Sequence, residues 1–180
     1  MGVTHLAVWT ANYLAGVHRK RVAVLEWNKH GDFAAMGRFC AMPRSGDRPG
    51  ESEKPFRILE VDYFADAAAA ELAACLNEPY EYIIVDYGEM TGPALCECAR
   101  CDRKIMVGSL SEWRAAAFLE AAGMDAKRDR SWSYAAAFGS GETRKEWEKT
   151  FRRTCVRIPA SEDAFAVTRA DMEFFEKLLF

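Results

Sequence analysis

Three side chains that could act on a phosphorylated ligand stand at the ends of predicted helices and strands. Glu26 and Asp86 each follow an apolar run, and Thr4 opens a stretch with helical spacing of apolar residues. A helix N-terminus presents free N–H groups that favour phosphate. A hydroxyl at Thr4 and a carboxylate at Asp86 are ligands that magnesium prefers, directly or through water. These residues therefore predict a site for a metal-bound phosphate.

The elements that must position these residues alternate between helix and strand. Continuous apolar strands separated by helices predict a mostly parallel sheet covered on both faces, a three-layer α/β/α fold. In such a fold, ligands bind beyond the carboxyl ends of the strands. We expect helices over residues 4–16, 65–76, 92–100, 111–122, 146–153 and 169–180, strands over 21–27, 56–64, 80–87, 104–110, 132–139 and 155–159, and a loop over 42–55.

Length and composition indicate one globular domain over residues 1–180. Half of the 180 residues are hydrophobic, 28% are charged, and the net charge is −3. This balance argues against disorder, and nothing in it marks the chain as a nucleic-acid binder. There is no apolar run of about 18 residues, the length that a membrane span needs, and no basic-then-apolar leader is visible. We expect a cytoplasmic protein, and the sequence gives no direct evidence for a nucleic-acid or membrane partner.

The six cysteines do not form a recognisable metal or redox motif. Isolated Cys40, Cys75 and Cys155 are expected to be small core residues. A cluster at Cys96, Cys98 and Cys101 contains a C-x-x-C, but every histidine lies in the first thirty residues. The cluster precedes a predicted strand, whereas a thioredoxin-type pair should open a helix after one. We expect reduced thiols there, and the role of the cluster stays open.

The start of the chain matches part of a known phosphate-binding loop. Gly2-Val3-Thr4 fit the last three positions of G-x-x-x-x-G-K-[ST], with Val3 in place of the lysine. The run from Glu26 to Asp32 fits D-x-D-P-Q-G-[ND] in spacing, and "YEYIIVD" ends at Asp86 as a strand with a Walker B aspartate does. In this order and spacing the chain resembles the MinD/ParA group of deviant-Walker P-loop ATPases, which includes TadZ/CpaE-like members.

The resemblance covers the chain from Gly2 onward and implies a set of functional residues. It implies nucleotide contacts at Gly2, Val3, Thr4 and Glu26, and a position beside the adenine for Ile158 and Pro159. It implies metal contacts at Thr4 and Asp86, and catalytic positions at Asn28 and Asp86. The implied cofactors are ATP and Mg²⁺, and the implied partners are a second copy of the chain and an unidentified protein assembly.

Two departures from the family pattern predict a degenerate ATPase. Val3 replaces the phosphate-contacting lysine, and Asn28 replaces the second aspartate of the D-x-D pattern. An amide cannot take up a proton as a carboxylate can. Loss of one donor to the transferring phosphoryl group typically costs about 2–4 kcal/mol of transition-state stabilisation. The sequence therefore predicts a nucleotide-binding protein with weak or no hydrolysis that positions or regulates a partner assembly.

The opening residues raise a question about the start of the chain. In the family that the chain resembles, a central strand and the family's signature lysine precede Gly2. We expect Met1 to be an internal methionine of the loop, with the true start upstream. The alternatives are that the sheet closes without this strand, or that another chain supplies one.

Other interpretations of the same motifs stay open at this point. "YIIVDYGEMTG" also resembles the phospho-acceptor strand end of response-regulator receivers, and Val3 with Asn28 would suit a scaffold that binds no nucleotide. Thr4 could be only a helix N-cap. The apolar stripe Met172, Phe175 and Leu179 could attach to a membrane, although neighbouring acidic residues favour core packing.

Overall fold

The computed structural model describes residues 2–40, 55–89, 91–123 and 131–180. These residues form two compact units. The first unit comprises Gly2–Ala94 with Asp163–Val167, and the second comprises Leu95–Glu162 with Thr168–Phe180. The expected loop falls almost entirely on residues 42–54, outside the described residues. A single domain over residues 1–180 stays a prediction.

The predicted alternation of helices and strands is confirmed, with most element ends shifted by a few residues. The helices are α1 (Val3–Gly16), α2 (Asp32–Cys40), α3 (Ala69–Asn77), α4 (Gly92–Cys98), α5 (Ala115–Gly123), α6 (Gly141–Phe151) and α7 (Met172–Leu179), the last preceded by a 3₁₀ turn at Arg169–Asp171. The strands are β1 (Val22–Glu26), β2 (Phe56–Ile58), β3 (Val61–Phe64), β4 (Tyr82–Asp86), β5 (Lys104–Ser109), β6 (Trp132–Ala137) and β7 (Cys155–Arg157).

The first unit is built on a sheet with the strand order β2-β3-β1-β4. β1 pairs in parallel with both β3 and β4, so the predicted mostly parallel sheet is confirmed. All five residues of β1 are buried, as expected for an inner strand that is covered on both faces. Cys75 of α3 packs with Ala23 and Leu25 on one of these faces.

Helix α1 covers the other face of this sheet. Its residues from Leu6 to Ala15 are all buried, and it contacts β1, β3 and β4. The amide of Asn12 donates to the Tyr63 hydroxyl at 3.2 Å, which ties the helix to β3. A short connection, in which the Lys20 N–H donates to the Leu14 carbonyl, leads directly into β1. The C-terminus of α1 therefore lies where β1 starts, and its N-terminus lies toward the carboxyl ends of the strands.

Two local predictions in the first unit are wrong. Residues 56–64 form an antiparallel hairpin of β2 and β3 instead of one strand. The chain reverses at Leu59, which takes the left-handed φ of 52°, and Arg57 pairs with Glu60 at 3.0 Å across the turn. Helix α2 lies where no helix was expected; it begins after Gly31, whose φ is 74°.

The second unit carries a parallel sheet with the order β5-β6-β7. Its core is aromatic: the ring of Trp147 stacks on Phe118 at 5.4 Å and lies 5.1 Å from Tyr134. Gly108 is required here, because a Cβ at that position would lie 2.1 Å from the Phe118 ring. The core of this unit thus includes one close approach between β5 and α5.

The C-terminal helix serves the core of the second unit. In α7, Phe174, Phe175 and Leu178 are buried, and the helix contacts β6 and β7. Met172 and Leu179 are half-buried. Among the described residues, no helix is long and apolar enough to span a membrane. Of the apolar stripe, Phe175 packs in the core, and the side chains that join it there are Phe174 and Leu178.

Two of the three isolated cysteines are core residues as predicted. Cys75 and Cys155 are buried, and burial raises the pKa of their thiols to about 11 and about 12. Cys40 is exposed, so the prediction for it is wrong. It is the last residue of α2, on a helix whose buried residues are Phe33 and Gly37. Cys96 is exposed, and Cys98 and Cys101 are half-buried.

Candidate functional site

The two acidic strand ends are buried neighbours. Glu26 of β1 and Asp86 of β4 are register partners, and their exposed fractions are 1% and 0%. Side chains alternate along a strand, so Glu26 shares a face with Val24, the register partner of Tyr63. Tyr63 bonds to α1, which places both carboxylates on the face that α1 covers.

Each carboxylate has one bonded oxygen and one oxygen without a partner among the described residues. Glu26 Oε1 accepts the backbone N–H groups of Asp32 at 2.7 Å and of Phe33 at 3.2 Å. Asp86 Oδ1 accepts the N–H of Gly88 at 2.9 Å. Glu26 Oε2 and Asp86 Oδ2 are buried and have no hydrogen-bond partner in the described part of the chain. A buried charge is unfavourable unless it is paired, so these oxygens are suited to a cation.

The N-terminus of α1 has the properties of an anion site. Gly2, which has no side chain to cap the helix, occupies the N-cap position, and no acidic residue lies in the first turn. The interpretation of Thr4 as the N-cap is therefore wrong. The Thr4 hydroxyl instead donates to Asp32 Oδ2 at 3.3 Å. The helix start thus offers backbone N–H groups and a half-buried hydroxyl at the same end of the sheet.

Asn28 joins the loops that follow β1 and β4. Its Nδ2 donates to the Asp86 carbonyl at 3.1 Å, and its Oδ1 accepts the His30 N–H at 3.0 Å. Gly88, with a φ of 62°, lies against it: a Cβ there would be 3.1 Å from the Asn28 Cβ. Both ends of the Asn28 amide are therefore bonded to backbone. Its predicted catalytic role stays a prediction.

Ile158 and Pro159 belong to the second unit, where they follow β7. Ile158 is buried, and its N–H donates to the Ala136 carbonyl at 2.9 Å. Pro159 is half-buried. Their predicted position beside an adenine stays a prediction.

Asp32 is the residue that the sequence prediction missed. It is exposed, opens α2, accepts the Thr4 hydroxyl and donates its N–H to Glu26. The local signals are its fit to the last position of D-x-D-P-Q-G-[ND] and its place after Gly31, since an acidic side chain in the first turn favours a helix start. The contact with Thr4 joins residues that are 28 positions apart, which no local pattern indicates.

The donor set fits magnesium that arrives with a phosphate better than a metal held by protein alone. Within the described residues, no group of three or more His, Cys, Asp or Glu side chains could hold a metal ion. Magnesium usually keeps several waters and takes one or two carboxylates together with substrate phosphates. Asp86, Glu26 and the Thr4 hydroxyl, next to an uncapped helix start, match that pattern.

Comparisons with known proteins identify the fold. No protein-family model and no curated protein matches the chain. MinD from Aquifex aeolicus is 14% identical, with a TM-score of 0.61 over 98% of this chain and 81% of that one. A putative plasmid partition protein from Borrelia burgdorferi B31, bound to AMPPNP, is 13% identical, with a TM-score of 0.62 over 96% of this chain and 89% of that one. A ParA family ATPase from Chlorobium tepidum TLS is 16% identical, with a TM-score of 0.56 over 87% of this chain and 79% of that one. The chain has the MinD/ParA-like P-loop fold.

Proposed function

We propose that the chain binds ATP together with Mg²⁺ as a MinD/ParA-like protein and hydrolyses it slowly or not at all. The observation that carries this proposal is the pair of buried carboxylate oxygens on Glu26 and Asp86 that lack partners among the described residues. They stand at the carboxyl ends of adjacent parallel strands, where ligands bind in α/β sheets. The similar Borrelia protein bound to AMPPNP, an ATP analogue, supports the choice of nucleotide.

Each residue of the site has a distinct part in this proposal. The backbone N–H groups of the helix start at Gly2 and Val3 would receive the phosphates. The Thr4 hydroxyl and Asp86 would hold the metal, directly or through water, with Glu26 beside them. Bound magnesium would neutralise phosphate charge.

Slow hydrolysis follows from two side chains. Val3 offers no charge to the transferring phosphoryl group, and removal of one such donor typically costs about 3 kcal/mol of transition-state stabilisation. Asn28 has both ends of its amide bonded to backbone and cannot accept a proton from an attacking water. Under this proposal the site binds a nucleotide, and neither Val3 nor Asn28 supplies a group that accelerates its cleavage.

The biological role that we propose is the positioning or regulation of a partner protein assembly in the cytoplasm, with a second copy of the chain as a further partner. Support comes from the Aquifex aeolicus MinD, which has been solved in a complex with MinC. The receiver alternative is not favoured, because helix α1 precedes the first strand and no Lys-Pro pair follows the apolar run of β5.

Calorimetric titration of the chain with ATP and Mg²⁺ tests the proposal. We expect saturable binding below about millimolar ATP, and we expect Asp86→Asn to weaken it about 10- to 100-fold, as loss of a metal-site group does. Glu81→Gln is the matched control, because exposed Glu81 pairs with Lys20 before β4, at the opposite end of the strand. The absence of binding at millimolar ATP would instead favour a scaffold that takes no nucleotide.

A further inference from the structure

We propose that Asp32 is a positioning residue that orients the Thr4 hydroxyl toward a magnesium ion. This inference rests on the proposed function, since it concerns how the same site would hold its metal. The observation behind it is that Asp32 Oδ2 accepts the Thr4 hydroxyl at 3.3 Å.

The chemistry of a hydroxyl ligand requires such an acceptor. A threonine hydroxyl has one hydrogen to donate and two lone pairs to offer. When the oxygen coordinates a cation, the hydrogen must point away from it, and an acceptor on that side fixes the orientation. Asp32 Oδ2 accepts this hydrogen from Thr4, so the lone pairs of Thr4 Oγ1 are directed away from Asp32. Partners of this kind are known to tune metal affinity by orienting the ligand.

Asp32 is itself held by one of the two buried carboxylates, that of Glu26. Its N–H donates to Glu26 Oε1 at 2.7 Å, and the N–H of Phe33 donates to the same oxygen at 3.2 Å. Glu26 therefore fixes the start of α2 with one oxygen while its other oxygen has no partner within the described residues. Thr4, Asp32 and Glu26 thus form one connected chain of hydrogen bonds from the helix start to the buried carboxylates.

A merely structural role for Asp32 can be separated from this one. If Asp32 only stabilised the start of α2, its loss would change nucleotide binding equally with and without magnesium. If it orients Thr4 for the metal, its loss would change only the affinity that depends on magnesium. The informative quantity is the ratio of the ATP Kd in EDTA to the ATP Kd in Mg²⁺.

The experiment measures this ratio for the wild-type chain and four variants. We expect Asp32→Ala to lower the ratio about tenfold, and Asp32→Asn to retain most of it because the amide carbonyl can accept the Thr4 hydroxyl. Thr4→Val should lower the ratio as much as Asp32→Ala. Asp66→Asn, which removes the charge of an exposed aspartate paired with Lys29, should leave it unchanged.

The Thr4→Val and Asp32→Ala double variant completes the test. Because the two residues act through one hydrogen bond, the double variant should lose no more than either single variant. An unchanged ratio in Asp32→Ala, or additive losses in the double variant, would overturn the inference while leaving nucleotide binding intact. A wild-type chain that binds no ATP even with Mg²⁺ would overturn both the inference and the proposed function.

Discussion

The strands of the two units end differently at their carboxyl edges. In the first unit, β1 and β4 end in buried Glu26 and Asp86, each with an oxygen that has no partner in the described part of the chain. In the second unit, the strand ends lead into buried apolar residues such as Leu110 and Ile158, whose N–H groups donate to β6. Buried charge without a partner lowers stability, whereas packed apolar strand ends raise it. This contrast is what we expect if the first unit gives up stability for a ligand and the second unit does not.

The largest effect is expected where the second unit is packed most tightly. Gly108→Ala should lower the free energy of unfolding by about 3 kcal/mol, because the new Cβ would lie 2.1 Å from the Phe118 ring. Chemical denaturation measures this. Gly141→Ala is the matched control, since a Cβ there meets nothing within 4 Å. Equal free energies of unfolding for the two variants would show that the core accommodates a Cβ at residue 108 without loss of stability.

In the first unit, we expect a substitution at a buried strand end to raise the free energy of unfolding. Glu26→Gln should raise the free energy of unfolding by about 1–2 kcal/mol without magnesium, because the amide keeps the acceptor for α2 and removes a buried charge. The same variant should lose the stabilisation that ATP with Mg²⁺ gives the wild-type chain. Thermal unfolding with and without the ligand measures both. A destabilised Glu26→Gln chain would mean that the Glu26 charge already has a partner.

Thiol modification should distinguish the core from the surface in both units. At pH 8, a thiol with a pKa of about 11 is roughly 0.1% ionised, so Cys75 should react slowly, and Cys155 more slowly still. The exposed Cys40 and Cys96 should react first. Mass spectrometry of peptides after timed alkylation gives the order. Early modification of Cys155 would show that the core of the second unit opens readily.

The smallest effect concerns His5 in the first turns of α1. Burial lowers the pKa of this imidazole below its usual value of 6.5. The unfolded chain therefore takes up the proton at a higher pH than the folded chain, and stability falls as the pH drops below about 6.5. His5→Asn should remove this component, shifting the pH dependence of Tm by about 1–2 °C between pH 7 and 5. An identical pH profile in both proteins would contradict it.

Local sequence patterns were sufficient to predict several of the strands and two of the candidate site residues. Apolar runs that lie between predicted helices located β1 and β4. The acidic residues that end these runs gave Glu26 and Asp86 as candidates. The hairpin at Leu59 was missed because its turn contains no Gly, Pro or Asn. Asp32 was missed because its contacts with Thr4 and Glu26 exist only once α1, β1 and α2 are assembled. Patterns along the chain indicate elements, but not which distant side chains meet.

A crystal of the chain grown with ATP and Mn²⁺, a substitute for Mg²⁺ with an anomalous signal, shows whether the buried carboxylates hold a metal beside a nucleotide. We expect an anomalous peak within about 4.5 Å of Glu26 Oε2 and Asp86 Oδ2, which corresponds to direct contact or contact through one water. A bound nucleotide whose manganese lies away from both carboxylates, or a site that stays empty at saturating ATP and Mn²⁺, would contradict it.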